Sequence, residues 1–189
     1  MRRGSIEESE HKVISFLDFV EALAVRSLRV DYNVSLTTIR NAIDFAQKQY
    51  SLDHIFARRD HRTQLDSKRQ IHIIMKGEDN PISISGKDAG QVSMQECVEG
   101  YMQDLNFDSK GIADLYTAFQ FQGQKVVMKP TFNFGGPVMA ENGYPPSVLW
   151  RSVVTEGSFE RAAELYDASL ESVKAAYRYC NGELGLVAA

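Results

Sequence analysis

Apolar residues recur at helical spacing near the start of the chain. Steps of three and four residues place them on one face of an amphipathic helix that ends near Asp31. A second helix is expected from Ser35, a residue type that caps helix N-termini, and its apolar stripe reaches Tyr50. The stripe of the first helix consists of Val13, Phe16, Leu17, Val20, Leu23, Ala24 and Leu28.

The pattern then changes to extended segments. Ile55–Ala57 is followed by a polar stretch and by Ile71–Met75, which is rich in β-branched residues. Asp66–Lys68 lies between them and predicts a hairpin turn. The order helix, helix, hairpin over residues 1–77 is typical of a winged-helix-like module with a basic hairpin.

Residues 78–119 differ from both flanks and are interpreted as an acidic helical connector. Ile82–Ile84 is predicted as a short strand between turn-rich segments. One or two helices are expected over residues 91–119, broken near residues 106–111. Their apolar faces would be Met94, Val98, Tyr101, Met102 and Leu105, then Ile112, Leu115 and Phe119.

Residues 120–182 are predicted to form a C-terminal domain of strands plus a helix-turn-helix, followed by a tail at 183–189. Lys125–Met128 and Phe132–Phe134 are expected to be extended, and helices are expected from Ser147, Ser158 and Ser169. The overall expectation is a mainly α fold with short β hairpins, in which the last module is homeodomain-like.

Residues 159–178 fit the helix-turn-helix pattern, with small or apolar residues where two short helices would touch and Asp167 at the turn. Any αα-hairpin with small contact residues gives the same pattern, so partner binding or dimerisation stays open. The start of the second helix also repeats the start of the helix at Ser35, which suggests two such units. If this helix enters the major groove, the candidate base contacts are Ser169, Ser172, Lys174 and Arg178.

The net charge of -4 is unevenly distributed. Residues 1–75 carry +2, residues 76–119 carry -5 and the remainder carries -1. A basic cluster on the predicted hairpin is suited to a phosphate backbone, although such a cluster can also be a solvated loop. The predicted phosphate contacts are Arg58, Arg59, Arg62, Lys68 and Arg69.

Other functions find little support in the sequence. It shows no apolar run long enough to span a membrane and no signal peptide, so we expect a cytoplasmic protein. We find no nucleophile elbow and no phosphate loop, and the four histidines and two cysteines are scattered. His54 and His61 could be ligands, but no further ligands complete a zinc site. We therefore expect a non-enzyme with no cofactor and no metal.

In the C-terminal part of the chain, Gly and Pro elements stand in order ahead of the helix pair. These elements and the helix residues that follow them are Pro130, Phe134-Gly135, Pro137-Val138, Gly143-Tyr144-Pro145, Glu156-Gly157-Ser158, Ala162–Tyr166, Ser169, Val173 and Ala176–Tyr179. Through these residues the stretch from Lys125 to Tyr179 resembles a bacterial domain-of-unknown-function family, number four-three-three, that occurs in VapB-type antitoxins. The N-terminal part, through residues 15–21, 34–36, 39–42 and 53–57, resembles a MerR-type winged helix.

The resemblance implies an antitoxin of a type II toxin–antitoxin system. Such a protein would bind and inhibit a PIN-domain (VapC-like) ribonuclease toxin, and would bind its own operator DNA, usually as a homodimer. The alternatives are a MerR-like or helix-turn-helix transcription regulator without a toxin partner, and an adaptor that binds only protein. Extended residues that could pair edge strands between two copies are the candidates for dimerisation, namely Val126, Val127, Phe132 and Phe134.

Overall fold

The computed structural model describes residues 14–77, 81–85, 96–97 and 102–183. Across these ranges the chain forms five α-helices and two antiparallel sheets of four strands each. The fold is therefore mixed α/β, and the expectation of a mainly α protein is wrong. None of the helices in these ranges is both long and apolar enough to cross a membrane.

The two N-terminal helices form where the apolar periodicity predicted them. They are α1 (Phe16–Val30) and α2 (Leu36–Tyr50). Ser15 and Asp18 form a capping box at the start of α1, and the Ser35 side chain accepts the Thr38 N–H at the start of α2. These caps satisfy backbone donors that the first helical turn leaves unpaired.

The predicted hairpin forms around the expected turn, but Ile55–Ala57, which was expected to be extended, is a short 3₁₀ helix, and the first strand begins only at His61. The hairpin is the centre of a sheet. Strands β1 (His61–Leu65) and β2 (Ile71–Met75) pair in antiparallel register. Strands β3 (Ile82–Ser83) and β4 (Glu96–Cys97) flank them in the order β3-β2-β1-β4. Since β1 and β2 have neighbours on both sides, the hairpin is not a free wing. Its inward residues pack with α1 and α2 around the buried Phe56.

The second sheet begins within the segment 91–119, which was predicted as helical, and continues into the predicted strand at Lys125–Met128. It contains β5 (Leu105–Phe107), β6 (Ala113–Phe121), β7 (Gln124–Met128) and β8 (Val138–Met139), paired in that order.

The helix prediction was wrong for two physical reasons. The strand β6 is rich in aromatic and β-branched residues, which favour strands. Gln122 and Gly123 both have positive φ, which suits the tight turn that joins β6 to β7. Of the apolar faces predicted for this segment, Met94, Val98 and Tyr101 lie outside the described residues.

The extended segment predicted at Phe132–Phe134 is also wrong. Asn133–Gly135 forms a short turn in which all three residues have positive φ, of 46°, 53° and 81°. Two hydrogen bonds close this turn, from the Gly135 N–H to the Phe132 carbonyl and from the Gly136 N–H to the Asn133 carbonyl.

Three helices complete the described chain, namely α3 (Pro146–Glu156), α4 (Phe159–Tyr166) and α5 (Leu170–Arg178). The chain turns between α4 and α5 at Asp167, whose φ of 47° lies in the left-handed region that Asp tolerates better than most residues. Ser169 then caps α5 by accepting the Ser172 N–H, as Ser35 caps α2. The two related segments therefore both begin as serine-capped helices.

One apolar cluster joins the N-terminal half to the second sheet. Val20 of α1 and Ala57 pack against Leu105 and Ala113. Beside this cluster the Glu21 carboxylate accepts the N–H of Phe56 at 2.8 Å. Burial raises the pKa of Glu21, and the hydrogen bond from Phe56 partly offsets this rise.

We predict that Glu21→Ala destabilises the fold by about 1–3 kcal/mol, because it leaves the N–H of the fully buried Phe56 without an acceptor. Glu21→Gln retains an acceptor oxygen and should cost less. Urea denaturation of both variants measures the difference. Equal losses for the two variants would contradict the role assigned to this hydrogen bond.

Candidate nucleic-acid interface

The predicted phosphate-contacting residues lie at opposite ends of the β1–β2 hairpin. Arg58, Arg59 and Arg62 are at its base, whereas Lys68 and Arg69 are in the turn at its tip. The strand between the two groups spans roughly 13 Å, at about 3.3 Å per residue. The cluster that is continuous in sequence is therefore two basic sites in space.

At the base of the hairpin, Asp60 organises its neighbours. Arg58 donates to the Asp60 carboxylate through Nε at 3.0 Å and Nη2 at 2.5 Å. The imidazole Nδ1 of His61 lies 2.9 Å from the other carboxylate oxygen. Burial opposes ionisation of Asp60, but the hydrogen bonds from Arg58 and His61 outweigh it and lower the pKa of this carboxyl.

This network leaves the three arginines in different states. Arg58 is neutralised by Asp60, and its pKa is raised mainly by that hydrogen bond. Arg59 and Arg62 are exposed, and neither pairs with a carboxylate among the described residues. Arg59 and Arg62 are therefore the base residues available to an external anion, and Arg58 is a structural residue.

At the tip, Asp66 holds the turn in place. Its carboxylate accepts the N–H groups of Lys68 and Gln70 at 2.8 and 2.9 Å and lies 3.1 Å from Nε2 of His72. Burial opposes ionisation of Asp66, but these hydrogen bonds lower its pKa. Lys68 and Arg69 are exposed beside this turn.

Sequence reasoning missed the pairing of histidines with aspartates. His61 pairs with Asp60, His72 with Asp66, and His54 lies 4.0 Å from Asp18. The adjacent residues Asp60 and His61, at the start of a strand, were the one signal available. No group of three metal-ligating side chains occurs in the part of the chain that the structure describes.

The candidate base contacts on α5 do not share one exposed face. Ser172 is fully buried, so its prediction as a base contact is wrong. Its side chain accepts a hydrogen bond from Asn142. Ser169 is occupied as the helix cap, and its hydroxyl donates to Glu141 at 2.8 Å.

Most of the surface of α5 is covered, because one side packs on the second sheet and another side packs on α3 and α4. Only a narrow stripe of the helix faces outward. Glu171 and Arg178 are exposed and Lys174 is half-buried between them. The Arg178 guanidinium stacks 4.3 Å from the ring centre of Phe121, which holds it beside the second sheet. We call Glu171, Lys174 and Arg178 the α5 stripe.

The candidate dimerisation residues also divide into two groups. Val126 and Val127 are buried in β7, an inner strand, so they cannot pair an edge strand of a second copy. Phe132 and Phe134 are exposed, and the Phe134 side chain is as open as in an extended peptide, at 106%. Phe134 borders a groove of about 460 Å³ that is also lined by Ile14, Phe16, Phe19, Met128 and Pro130.

Comparison with known proteins finds a solved structure with a similar fold. The structure is similar to the X-ray crystal structure of Rv2018 from Mycobacterium tuberculosis, with a TM-score of 0.58 and 18% sequence identity. The similarity covers 85% of this chain and 77% of Rv2018. No family model and no curated protein matches the sequence. The two proteins thus share a fold, and the antitoxin resemblance stays a prediction.

We predict that Asp60→Asn lowers stability at pH 7, because the ionised carboxylate is bound by Arg58 and His61. Since the folded-state pKa is depressed, this stabilisation is present above the ordinary aspartate pKa of 3.8 and is lost as the pH falls below it. Urea midpoints of the wild type and Asp60→Asn should therefore converge in acid.

The control is Asp44→Asn, which removes an exposed aspartate from α2. If the difference in urea midpoint between Asp60→Asn and the wild type is the same at pH 7 and in acid, the stabilisation by Asp60 does not depend on its negative charge, and the prediction is contradicted.

Proposed function

We propose that this protein is an antitoxin of a type II toxin–antitoxin system. In this proposal it binds and inhibits a PIN-domain ribonuclease and represses its own operon by binding operator DNA as a homodimer. The supporting observation is the compact α3–α4–α5 unit, in which α4 and α5 meet across a turn at Asp167. It follows the Gly/Pro segment in the order that the antitoxin resemblance requires.

A helix-turn-helix function for α4 and α5 is consistent with their packing. Ala162 and Ala163 of α4 and Val173 of α5 are buried against α3, and small residues let such helices approach closely. The α5 stripe then faces outward as the candidate base-reading surface. Glu141 and Glu171 near the start of α5 reduce its attraction for phosphates, so DNA binding must draw on other basic groups.

The N-terminal half offers such groups and is proposed to act as a winged-helix-like module. Its element order is helix, helix, hairpin, with exposed basic residues at both ends of the hairpin. Phosphate contacts position a protein on DNA, whereas base contacts give specificity. We therefore assign positioning to Arg59, Arg62, Lys68 and Arg69 and specificity to the α5 stripe.

Dimerisation is proposed to use the surface around Phe134. A phenylalanine with positive φ that projects fully into solvent carries backbone strain and exposes apolar area. A partner that covers the ring removes this apolar area from water and thereby offsets the strain. The ring lies beside an apolar groove on the same chain. In a two-fold dimer, each copy can place Phe134 in the groove of the other.

The antitoxin proposal predicts that a PIN-domain ribonuclease is encoded beside this chain and forms a stable complex with it. Co-expression and co-purification test the complex, and a ribonuclease assay with and without this chain tests inhibition. We expect ribonuclease activity to disappear once this chain is equimolar, whereas an unrelated PIN-domain ribonuclease should keep its activity. A chain that binds its own promoter but leaves the neighbouring nuclease active would contradict the antitoxin function and favour a regulator without a toxin partner.

The dimer proposal predicts that Phe134→Ser weakens self-association by at least about ten-fold, since a central aromatic dominates such an interface. Val154→Ser on α3 is the matched control, because Val154 is also exposed, at 61%, but lies away from the groove. Sedimentation equilibrium measures both. A monomeric wild type, or equal dissociation constants for wild type and Phe134→Ser, would refute this interface.

A further inference from the structure

A second concave site lies at the base of the hairpin, against the second sheet. It has a volume of about 390 Å³ and is lined by Arg59, His61, Arg62, Met102, Gln103 and Phe107. Two backbone contacts set its location. The Arg59 N–H donates to the Gly111 carbonyl at 2.9 Å, and Arg58 forms an isolated antiparallel β-bridge with Ile112. These contacts bring the start of β1 beside the loop that follows β5.

The described lining of this pocket is positively charged. Arg59 and Arg62 carry no carboxylate partner in the described ranges, and no acidic residue lines the pocket. The adjacent Arg58–Asp60 pair is neutral as a unit. Arg59 is also positioned, because its guanidinium lies 5.9 Å from the ring centre of Phe107. Two guanidinium groups at one concave site favour an oxyanion, and their planar arrays of donors match the geometry of carboxylates and phosphates.

His61 supplies an independent indication. Its side chain is 1% exposed, and Nδ1 contacts the ionised Asp60. The other ring nitrogen, Nε2, is buried with no hydrogen-bond partner among the described residues. Buried polar atoms are usually satisfied, so an unpaired one marks a place where a ligand can supply the missing partner. Since Asp60 holds Nδ1, Nε2 is the ring atom left to contact a ligand that enters the pocket.

The exposure of the lining side chains determines how a ligand can enter the pocket. Arg59, Arg62 and Gln103 are all exposed, so the pocket is open to solvent on the side of its donors. An open rim allows a phosphate to enter while the rest of a polymer stays outside. A phosphodiester of a DNA backbone meets this requirement, and each such contact adds affinity that is independent of sequence.

We propose that this pocket is a phosphate-binding site that holds one backbone phosphate of bound DNA, with Arg59 and Arg62 as its ligands, Gln103 as an additional donor and His61 as an additional polar contact. Only the assignment of the phosphate to DNA rests on the proposed function. The existence of the site does not, and it can be tested with inorganic phosphate alone.

The first experiment titrates the full chain with inorganic phosphate at constant ionic strength and follows amide and arginine side-chain resonances by ¹H–¹⁵N NMR. We expect saturable shifts at Arg59, Arg62 and Gln103, and an affinity at least about ten-fold weaker in the double variant Arg59→Gln/Arg62→Gln. Lys68→Gln is the control, because it removes a charge from the tip of the same hairpin, outside the pocket. Equal weakening by Lys68→Gln, or shifts scattered over the surface, would overturn the site.

The second experiment measures binding of a promoter duplex with and without inorganic phosphate at matched ionic strength. We expect phosphate to compete with the duplex in the wild type and not in Arg59→Gln/Arg62→Gln. Phosphate binding without competition would overturn the assignment to DNA and leave a site for a free phosphate ester. Duplex binding that is insensitive to both phosphate and the double variant would overturn the use of this pocket by DNA while leaving the proposed DNA binding intact.

Discussion

The backbone contact between Arg59 and Gly111 is the constraint on which the arrangement of this molecule depends. The Arg59 N–H donates to the Gly111 carbonyl, and Gly111 adopts a φ of 78° that suits glycine. The Asp108 carboxylate holds this loop by accepting the N–H groups of Lys110 and Ile112. The first sheet is thereby joined to the second at the point where the basic hairpin begins, so the exposed arginines have a fixed position relative to the rest of the fold.

The second sheet also fixes the position of the C-terminal helices, because α5 packs against it. Val126 and Met139 of the sheet pack against Ala175 and Ala176 of α5, and Arg178 stacks on Phe121. The burial of one face of α5 leaves only the α5 stripe outside. A DNA-binding function would then combine two surfaces of different character. The hairpin base exposes Arg59 and Arg62, which pair with no carboxylate among the described residues, whereas the stripe mixes Glu171 with two basic residues.

The elements that were predictable from sequence are those governed by local rules. Ser35 and Ser169 cap helices because a serine hydroxyl reaches the N–H three residues on, and Asp66 turns the hairpin through its own backbone contacts. The residues 113–121 were misread because Leu115 and Phe119 satisfy a helical spacing as well as an alternating one. Tertiary pairing with β7 decides between the two, and the burial of Ser172 depends likewise on packing that spacing cannot reveal.

Base reading by the α5 stripe can be tested at Lys174. The measurement is the ratio of affinities of Lys174→Gln for its own promoter and for a scrambled duplex, at low salt, with Arg161→Gln on α4 as the charge-matched control. If α5 reads bases, the ratio falls by at least about five-fold in Lys174→Gln and is unchanged in Arg161→Gln. An unchanged ratio in Lys174→Gln would contradict base reading by α5.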